Sequence, residues 1–225
     1  MDHTNYIQKF LVESRESIES LQFLSNEEIG KAIDILFDAW IKGKHIFFMG
    51  NGGSAGNASH FAADLSKTTM HKEKKRFKAF CLNENPSLFT AWVNDFGWDY
   101  AYRGQLENVL EENDVIVILS VHGGSGWSGN LLKAAEFAKE KGAKIISFAG
   151  FDGGFLKTVS DACVIIPIDS TAHTEALHSV IQHLVIFRLK DLIENHNSPE
   201  VFIKANESLL SQKDPASFDS QGGKR

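Results

Sequence analysis

The chain has little cysteine and proline and no long apolar run. Only two of its 225 residues are cysteine and four are proline. Because Cys81 and Cys163 both fall in apolar, strand-like segments, we expect reduced core thiols and not a disulfide framework. No uninterrupted apolar segment approaches the ~20 residues of a membrane span, and residues 1–4 open a polar, helix-like stretch, unlike a signal peptide. We therefore expect a soluble, cytoplasmic protein with no membrane partner.

An excess of positive charge is also absent. The chain carries 23 Lys and Arg residues against 29 Asp and Glu residues, a net charge of −6. Binding to a nucleic-acid backbone needs a basic surface, so this balance argues against a nucleic-acid partner. The one basic cluster, within residues 72–78, is interpreted as a solvated loop before a strand.

The length and the 43% hydrophobic content suit one sizeable domain. We predict that this domain covers residues 1–196, with extra helices at its N-terminus. Residues 197–225 are predicted to form a short helix and then a polar, disordered tail rich in Ser and Gly.

Five short apolar segments predict β-strands, and helical segments separate them. The predicted strands are His45–Met49, Phe77–Leu82, Val115–Ser120, Lys144–Ala149 and Ala162–Ile168, and the predicted helices span 5–22, 27–42, 54–67, 86–95, 98–110, 128–141 and 173–195. This alternation predicts an α/β fold, a three-layer αβα sandwich with a five-stranded, mainly parallel sheet. In such a sheet, ligands bind beyond the carboxyl ends of the strands, where the strand order switches direction.

Residues 47–64 combine an apolar strand, a glycine-rich turn and a helix. The turn, Gly50-Asn51-Gly52-Gly53-Ser54, lets the backbone approach a ligand and directs free helix N–H groups at an anion. One turn further on, His60 and Asp64 share a helix face at i,i+4 spacing. Such turns often only pack a helix on a sheet, and exposed His/Asp pairs are usually solvated. Because turn and pair occur in one element, we favour a site that holds a phosphorylated small molecule.

A second glycine- and serine-rich loop follows the third predicted strand. The hydroxyls of Ser120, Ser125 and Ser128 and the exposed backbone N–H groups suit a phosphate without a large positive charge. A flexible linker is the alternative, although linkers seldom lie between a buried strand and an amphipathic helix. Two such loops on neighbouring strands are more specific than one.

The last predicted helix begins with a segment dense in histidine and carboxylate. His60 and Asp64 could supply half of a tetrahedral zinc shell, and Glu175 and His183 the other half. Residues eight apart on a helix are about 12 Å apart along its axis, so Glu175 would need an adaptable first turn or a neighbouring subunit. A lone histidine is more often structural, and His178 and Gln182 are interpreted as packing or interface residues.

Asn94 and Asp95 precede Phe96-Gly97 in what the sequence predicts to be a turn. The simpler interpretation is helix termination with Asx chemistry. As part of a functional loop, the two polar side chains would lie near the hydroxyls of a sugar.

Together these motifs resemble the sugar isomerase (SIS) fold and, within it, the sedoheptulose 7-phosphate isomerases, or phosphoheptose isomerases. The resemblance covers roughly residues 5–195. Its most specific parts are Gly50–Ser54, His60–Asp64, Asn94–Gly97, Ser120–Ser125, Gly150–Gly154 and Glu175–His183. It implies a homotetramer with active sites between subunits, bound zinc, and conversion of D-sedoheptulose 7-phosphate to D-glycero-D-manno-heptose 7-phosphate through an enediol, for the heptose of surface polysaccharides.

The resemblance also implies roles for individual residues. Asp64 falls at the position of the family's base and His183 at that of its acid, and zinc would polarise the substrate's oxygens. The other implied contacts are substrate at Asn51, Gly52, Gly53, Ser54 and Glu175; phosphate at Ser120 and Ser125; sugar hydroxyls at Asn94 and Asp95; and metal at His60, Asp64, Glu175 and His183.

The chain departs from the family pattern at several of these positions. Asp64 is one methylene shorter than the usual glutamate, and Glu175 replaces the usual glutamine and adds a negative charge. Val121 and His122 stand where hydroxyl residues are usual, and His122 is an additional predicted phosphate ligand. These departures leave an isomerase of a different sugar phosphate as an alternative.

Two alternatives from other classes remain. One is a non-catalytic SIS protein, similar to the tetrameric factor that binds the bacterial replication initiator, and retention of His60, Asp64 and His183 argues against it. The other is a sugar-phosphate-sensing module, which would usually be joined to a DNA-binding segment, and the chain shows no such segment.

Overall fold

The computed structural model describes residues 2–24, 26–124 and 126–196. Its strands are β1 (His45–Gly50), β2 (Lys78–Cys81), β3 (Val115–Ser120), β4 (Lys144–Gly150) and β5 (Ala162–Ile166). Its helices are α1 (Thr4–Leu24), α2 (Asn26–Lys42), α3 (Gly53–Lys67), α4 (Pro86–Phe96), α5 (Tyr100–Glu107), α6 (Gly129–Glu140), α7 (Leu156–Val159) and α8 (Thr171–Asn195). The predicted short helix and tail at 197–225 lie outside the described residues.

The five strands form one sheet in the order β2-β1-β3-β4-β5. All four strand pairs are parallel, with Phe48 opposite Val117 in the β1–β3 pair. The chain moves outward from β1 to β2 and then returns to place β3 on the other side of β1. The strand order therefore switches between β1 and β3, and the predicted α/β fold with a parallel sheet is confirmed.

Two hydrophobic cores cover the two faces of the sheet, because successive strand side chains point to opposite sides. One core joins strand residues Phe48, Val117, Phe148 and Val164 to Leu36 of α2, Phe61 of α3 and Ile181 of α8. The other joins Phe47, Ile116, Ile118 and Ile145 to Tyr102 of α5 and Leu131 of α6. The three layers of the predicted sandwich are thus helices, sheet and helices.

Some element boundaries differ from the sequence-based predictions. The short helix α7 is missed because four residues are too few to show helical periodicity. The helix predicted at 98–110 is shorter, since it begins at Tyr100 and ends at Glu107, and Asn108 and Val109 form a turn after it. The strands predicted at 77–82 and 162–168 are each shortened to their sheet-paired residues.

The basic loop before β2 has a structural role that the sequence analysis did not predict. The Lys74 ammonium donates to the carbonyl oxygens of Ile193, Glu194 and His196 at the end of α8, the last at 2.8 Å. Lys75 donates to Ile41 O near the end of α2 at 2.8 Å. Helix C-termini carry unpaired carbonyls and partial negative charge, so these two lysines cap two helices. The interpretation as a solvated loop before a strand therefore fits the exposed Lys72 and Arg76 but not Lys74 and Lys75.

Both cysteines are buried free thiols, as predicted. Burial raises the pKa of Cys81 to about 11 and also raises the pKa of Cys163, so both remain protonated at neutral pH. Among the helices that the structure describes, none has the length and apolar character needed to cross a membrane.

Candidate active site

A cavity of about 250 Å³ lies beyond the carboxyl ends of β1 and β3, where the strand order switches. It is lined by Asn51, Gly52, Gly53, Ser54, Ser120, Val121, His122, Ser128, Thr171 and Glu175. The two predicted phosphate loops therefore meet in one cavity, together with the first turn of α8. This is the location that an open parallel sheet favours for a ligand.

The turn between β1 and α3 is held by hydrogen bonds from Asn83 and Tyr102 to its first residue, Gly50. Gly50 must be glycine, since a Cβ there would lie 2.6 Å from Ser54 O, and its carbonyl accepts hydrogen bonds from Asn83 at 3.0 Å and from the Tyr102 hydroxyl. Burial raises the pKa of Tyr102 to about 12, so the phenol keeps the proton that it donates.

Asn51 is fixed by a partner that the sequence analysis missed. Its amide and that of the buried Asn130 form two reciprocal hydrogen bonds, each of 2.9 Å. Asn130 lies in the first turn of α6, so this pair links the two glycine-rich loops across the switch point. The position of Asn130 shortly after the second loop was the signal in the sequence for a role at this site. Its pairing with Asn51 could not be predicted, because the two residues are far apart in the sequence.

The loop between β3 and α6 is locked against the loop after β4. Gly123 has a φ of 60°, and a Cβ there would lie 2.0 Å from Gly153 O. The Leu156 N–H donates to Gly123 O at 2.9 Å, and the Gly150 N–H donates to Val121 O at 2.9 Å. Only glycine permits backbones to approach this closely in this conformation, which gives the Gly150–Gly154 motif a role in holding the second loop.

The side chains of this loop present groups that suit a phosphate. The Ser120 hydroxyl accepts the Gly124 N–H at 3.0 Å, which leaves its own proton to donate. The exposed His122 ring packs against Phe151 with centroids 4.5 Å apart. His122 is the one side chain with a titratable cation among the residues that line the cavity. Ser125, the other predicted phosphate ligand, lies outside the described residues.

A second group of predicted residues meets where α3 and α8 pack together. Oδ2 of Asp64 lies 3.3 Å from Nε2 of His60 and 3.4 Å from Nε2 of His183. The two imidazole rings have centroids 5.1 Å apart. The side chains are 49%, 22% and 45% exposed for His60, Asp64 and His183, so a ligand can reach them.

These three side chains have the donors of a metal site. Their ligand atoms all lie within 4.8 Å of one another, and two imidazole nitrogens with a carboxylate oxygen are a usual set for zinc that keeps a position open. The residues present therefore fit a metal ion.

Three predicted site residues lie away from this cluster. Glu175 belongs to the cavity, where both of its carboxylate oxygens would be 2.4 Å from a Cβ on Gly53; its part in a four-ligand metal set stays a prediction. Asn94 and Asp95 are exposed in the last turn of α4, and the Asn94 amide donates to Asp95 at 2.7 Å. They do not line the cavity of this chain, and the helix continues through them, so the turn begins only at Gly97.

Comparisons with known proteins agree with this geometry. A family model described as "SIS domain" matches residues 9–150. The chain is 38% identical to a phosphoheptose isomerase of Helicobacter pylori strain ATCC 700392 / 26695, over 85% of this chain and 96% of that protein. It is 42% identical to the lincomycin biosynthesis protein LmbN of Streptomyces lincolnensis over 71% of this chain, a match that spans only 61% of LmbN.

A solved structure shows the same fold. The phosphoheptose isomerase GmhA from Neisseria gonorrhoeae superposes with a TM-score of 0.77, covering 84% of this chain and all of that one at 24% identity. The family model covers the β1–α3 turn, the His60–Asp64 pair and the strands β1 to β4. The chain belongs to the SIS-domain family and, within it, to the phosphoheptose isomerases.

Proposed function

We propose that the protein isomerises D-sedoheptulose 7-phosphate to D-glycero-D-manno-heptose 7-phosphate, for heptose synthesis. The observation that carries this proposal is the contact between Asp64 of α3 and His183 of α8. The first turns of the same two helices border the cavity whose loops suit a phosphate. One residue of the pair can remove a proton and the other can supply one, as an aldose–ketose isomerisation requires.

The distance between cavity and pair suits a seven-carbon chain. On α3, His60 lies six residues beyond Ser54, or about 9 Å along the axis, and on α8, His183 lies eight residues beyond Glu175, or about 12 Å. Eight bonds separate C1 from phosphorus in a heptose 7-phosphate, which is about 10 Å at an advance of about 1.2 Å per bond. Phosphate in the cavity therefore allows the carbonyl end to reach Asp64 and His183.

The proposed chemistry is a proton transfer between neighbouring carbons. Asp64 removes the proton from the carbon beside the carbonyl, and His183 protonates the carbonyl oxygen, which gives an enediol. Asp64 then returns its proton to the other carbon, and the deprotonated His183 takes the proton of the remaining hydroxyl as the new carbonyl forms, which restores both residues. Asn51, Gly52, Gly53 and Ser54 contact the substrate, while Ser120, Ser125 and His122 bind its phosphate.

We also propose zinc as the cofactor. His60, Asp64 and His183 would hold it, while the Glu175 carboxylate lies in the cavity. When bound, zinc supplies Lewis-acid polarisation of the substrate's oxygens. The chain's own residues orient the sugar and move its protons.

A homotetramer with sites between subunits is the proposed assembly. Val180, Leu184 and Phe187 form an exposed apolar stripe on α8, at i, i+4 and i+7, directly beside His183. Ile7 and Leu11 form a similar exposed stripe on α1. Exposed apolar faces of this kind support association with other copies, which would bring Asn94 and Asp95 of one chain near the site of another. Light scattering in solution tests the assembly.

An isomerase of another sugar phosphate is the second candidate. The 42% identity to a protein of lincomycin biosynthesis favours it, because that name places a close relative outside heptose synthesis for surface polysaccharides. The same residues would carry the same proton transfer on a different sugar.

Turnover of a panel of sugar phosphates by the purified protein, followed by proton NMR, tests both candidates. We expect sedoheptulose 7-phosphate to be converted to an aldose phosphate, and ribulose 5-phosphate to react at least about 100-fold more slowly, since a shorter chain misplaces the reacting carbons. Faster turnover of another sugar would favour the second candidate. Binding without turnover of any sugar would identify a non-catalytic member of the family.

A further inference from the structure

The charges that line the cavity are few and opposite. Among its lining residues, Glu175 is the one carboxylate and His122 the one side chain that can become a cation. The cavity holds only about 250 Å³, so a phosphate bound at the Ser120 loop lies within several ångströms of Glu175. A phosphate dianion next to a carboxylate is repelled, and this repulsion needs an explanation in a phosphate-binding cavity.

The fold keeps the Glu175 carboxylate in this place. Both of its oxygens would be 2.4 Å from a Cβ on Gly53, so the carboxylate occupies the space that the missing side chain leaves in the first turn of α3. The Glu175 backbone is fixed as well, because the Asn57 amide donates to Glu175 O at 2.9 Å. Glu175 is therefore positioned in the cavity by both its backbone and its side chain.

The carboxylate also has unused acceptor capacity. Within the described residues, no hydrogen bond or ion pair to its oxygens is seen, although the residue is only partly exposed. A partly buried carboxylate is stabilised when it accepts hydrogen bonds. The hydroxyl groups of a sugar can supply them, whereas the inorganic phosphate dianion has a single proton to donate and adds negative charge.

We propose that Glu175 makes the cavity select sugar phosphates over inorganic phosphate. This inference rests on the proposed function, because it needs a sugar phosphate in the cavity. A sugar phosphate offsets the repulsion because its hydroxyl groups donate hydrogen bonds to Glu175. Inorganic phosphate is repelled by the carboxylate and lacks these hydrogen bonds. At a separation of about 6 Å and a water-like dielectric, repulsion between a carboxylate and a dianion weakens binding about tenfold.

Calorimetric titration with inorganic phosphate and with sedoheptulose 7-phosphate, at constant ionic strength, tests the proposal. In Glu175→Gln we expect inorganic phosphate to bind about tenfold more tightly than in the wild type, while the sugar phosphate gains less. The selectivity, the ratio of the two dissociation constants, should fall accordingly. Glu175→Asp keeps the charge and should retain most of the selectivity.

A matched control is available at the neighbouring helix. Asp99 lies against the first turn of α6, with Oδ1 only 2.3 Å from the position of a Cβ on Gly129, yet it does not line the cavity. Asp99→Asn removes the same charge and should leave the selectivity within about twofold of the wild-type value, as expected for an exposed, solvent-screened charge outside the cavity lining.

The outcomes separate the inference from the proposed function. Unchanged selectivity in Glu175→Gln, with sugar phosphate still bound by the wild type, would overturn the inference alone. Equal losses in Glu175→Gln and Glu175→Asp would also overturn it, because the charge would then be irrelevant. If the wild type binds no sugar phosphate, the proposed function fails and the inference fails with it.

Discussion

Nε2 of His183 lies 3.4 Å from Oδ2 of Asp64, across the contact between α8 and α3. The same carboxylate oxygen lies 3.3 Å from Nε2 of His60. The parallel sheet brings the two helices together, since α3 follows β1 and α8 follows β5 and both cover the same face. Two imidazoles and a carboxylate, which can exchange protons or bind a metal ion, thus come together from α3 and α8.

Zinc content should depend on this cluster. We expect the wild type to hold near-stoichiometric zinc after purification and His60→Ala to lose most of it, because a site with one fewer nitrogen donor binds zinc far more weakly. Elemental analysis by mass spectrometry measures the content. His71→Ala is the matched control, since this histidine accepts the Glu73 N–H at 3.2 Å and lies outside the cluster. Equal zinc contents in the two variants would contradict zinc binding by the cluster of His60, Asp64 and His183.

The locked glycine loops should control phosphate affinity. In Gly123→Ala, the new Cβ would clash with the Gly153 carbonyl, so the two loops must separate and the phosphate groups lose their alignment. We expect sedoheptulose 7-phosphate to bind at least about tenfold more weakly and the protein to lose about 2–4 kcal/mol of stability.

Gly126→Ala provides the control for that clash. Gly126 has a similar φ of 65° but no atom within 4 Å of a Cβ, so alanine there adds only the strain of about 1–2 kcal/mol for a left-handed residue. Substrate affinity should stay close to that of the wild type. If both variants lost affinity equally, loop strain and not the contact with Gly153 would be responsible.

Lys74 should stabilise the end of α8. Lys74→Met keeps the apolar stem and removes the ammonium that caps the last carbonyls, and we expect a loss of about 1–2 kcal/mol in the free energy of unfolding. Urea titration measures it. Lys72→Met removes an equal charge from an exposed position in the same loop and should change stability by less than about 0.5 kcal/mol. A similar loss in both variants would point to net charge and not to capping.

Acid should destabilise the fold through His178. This fully buried side chain bonds Ala149 O through Nε2 at 3.3 Å, and burial lowers its pKa from 6.5 to about 4. Between about pH 6.5 and 4, His178 is therefore protonated in the unfolded chain but neutral in the folded chain. The free energy of unfolding falls as the pH falls through this window.

The size of this effect can be measured by urea unfolding at two pH values. From pH 7 to pH 5, His178 should account for a loss of about 2 kcal/mol, and His178→Gln, which does not titrate, should lose correspondingly less over the same interval. An identical pH dependence in the wild type and His178→Gln would mean that other groups carry the acid sensitivity.

Much of the fold and part of the site follow from local patterns. The sheet, its parallel pairing and the strand-turn-helix of residues 47–64 were predictable because apolar periodicity and glycine placement are local signals. The His60–Asp64 pair was predictable for the same reason, as both residues lie on one turn of a helix.

Contacts between distant segments were not predictable in this way. The Asn51–Asn130 amide pair, the Lys74 cap on α8 and the Glu175–Gly53 contact each join residues from separate elements. Sequence spacing carries no information on them until the sheet order is known. Glu175 illustrates the difference, since its residue type suggested a metal ligand, whereas packing places it in the cavity beyond β1 and β3.

Deuterium uptake during turnover tests the central claim most directly, namely that Asp64 moves the proton. With sedoheptulose 7-phosphate in deuterated water, the wild type should form an aldose phosphate that carries deuterium at the carbon beside the carbonyl. Asp64→Asn should keep the fold, as judged by circular dichroism, and lose at least about 100-fold in both turnover and deuterium uptake. If a folded Asp64→Asn protein showed deuterium uptake and turnover at the wild-type level, the assignment of Asp64 as the base would be contradicted.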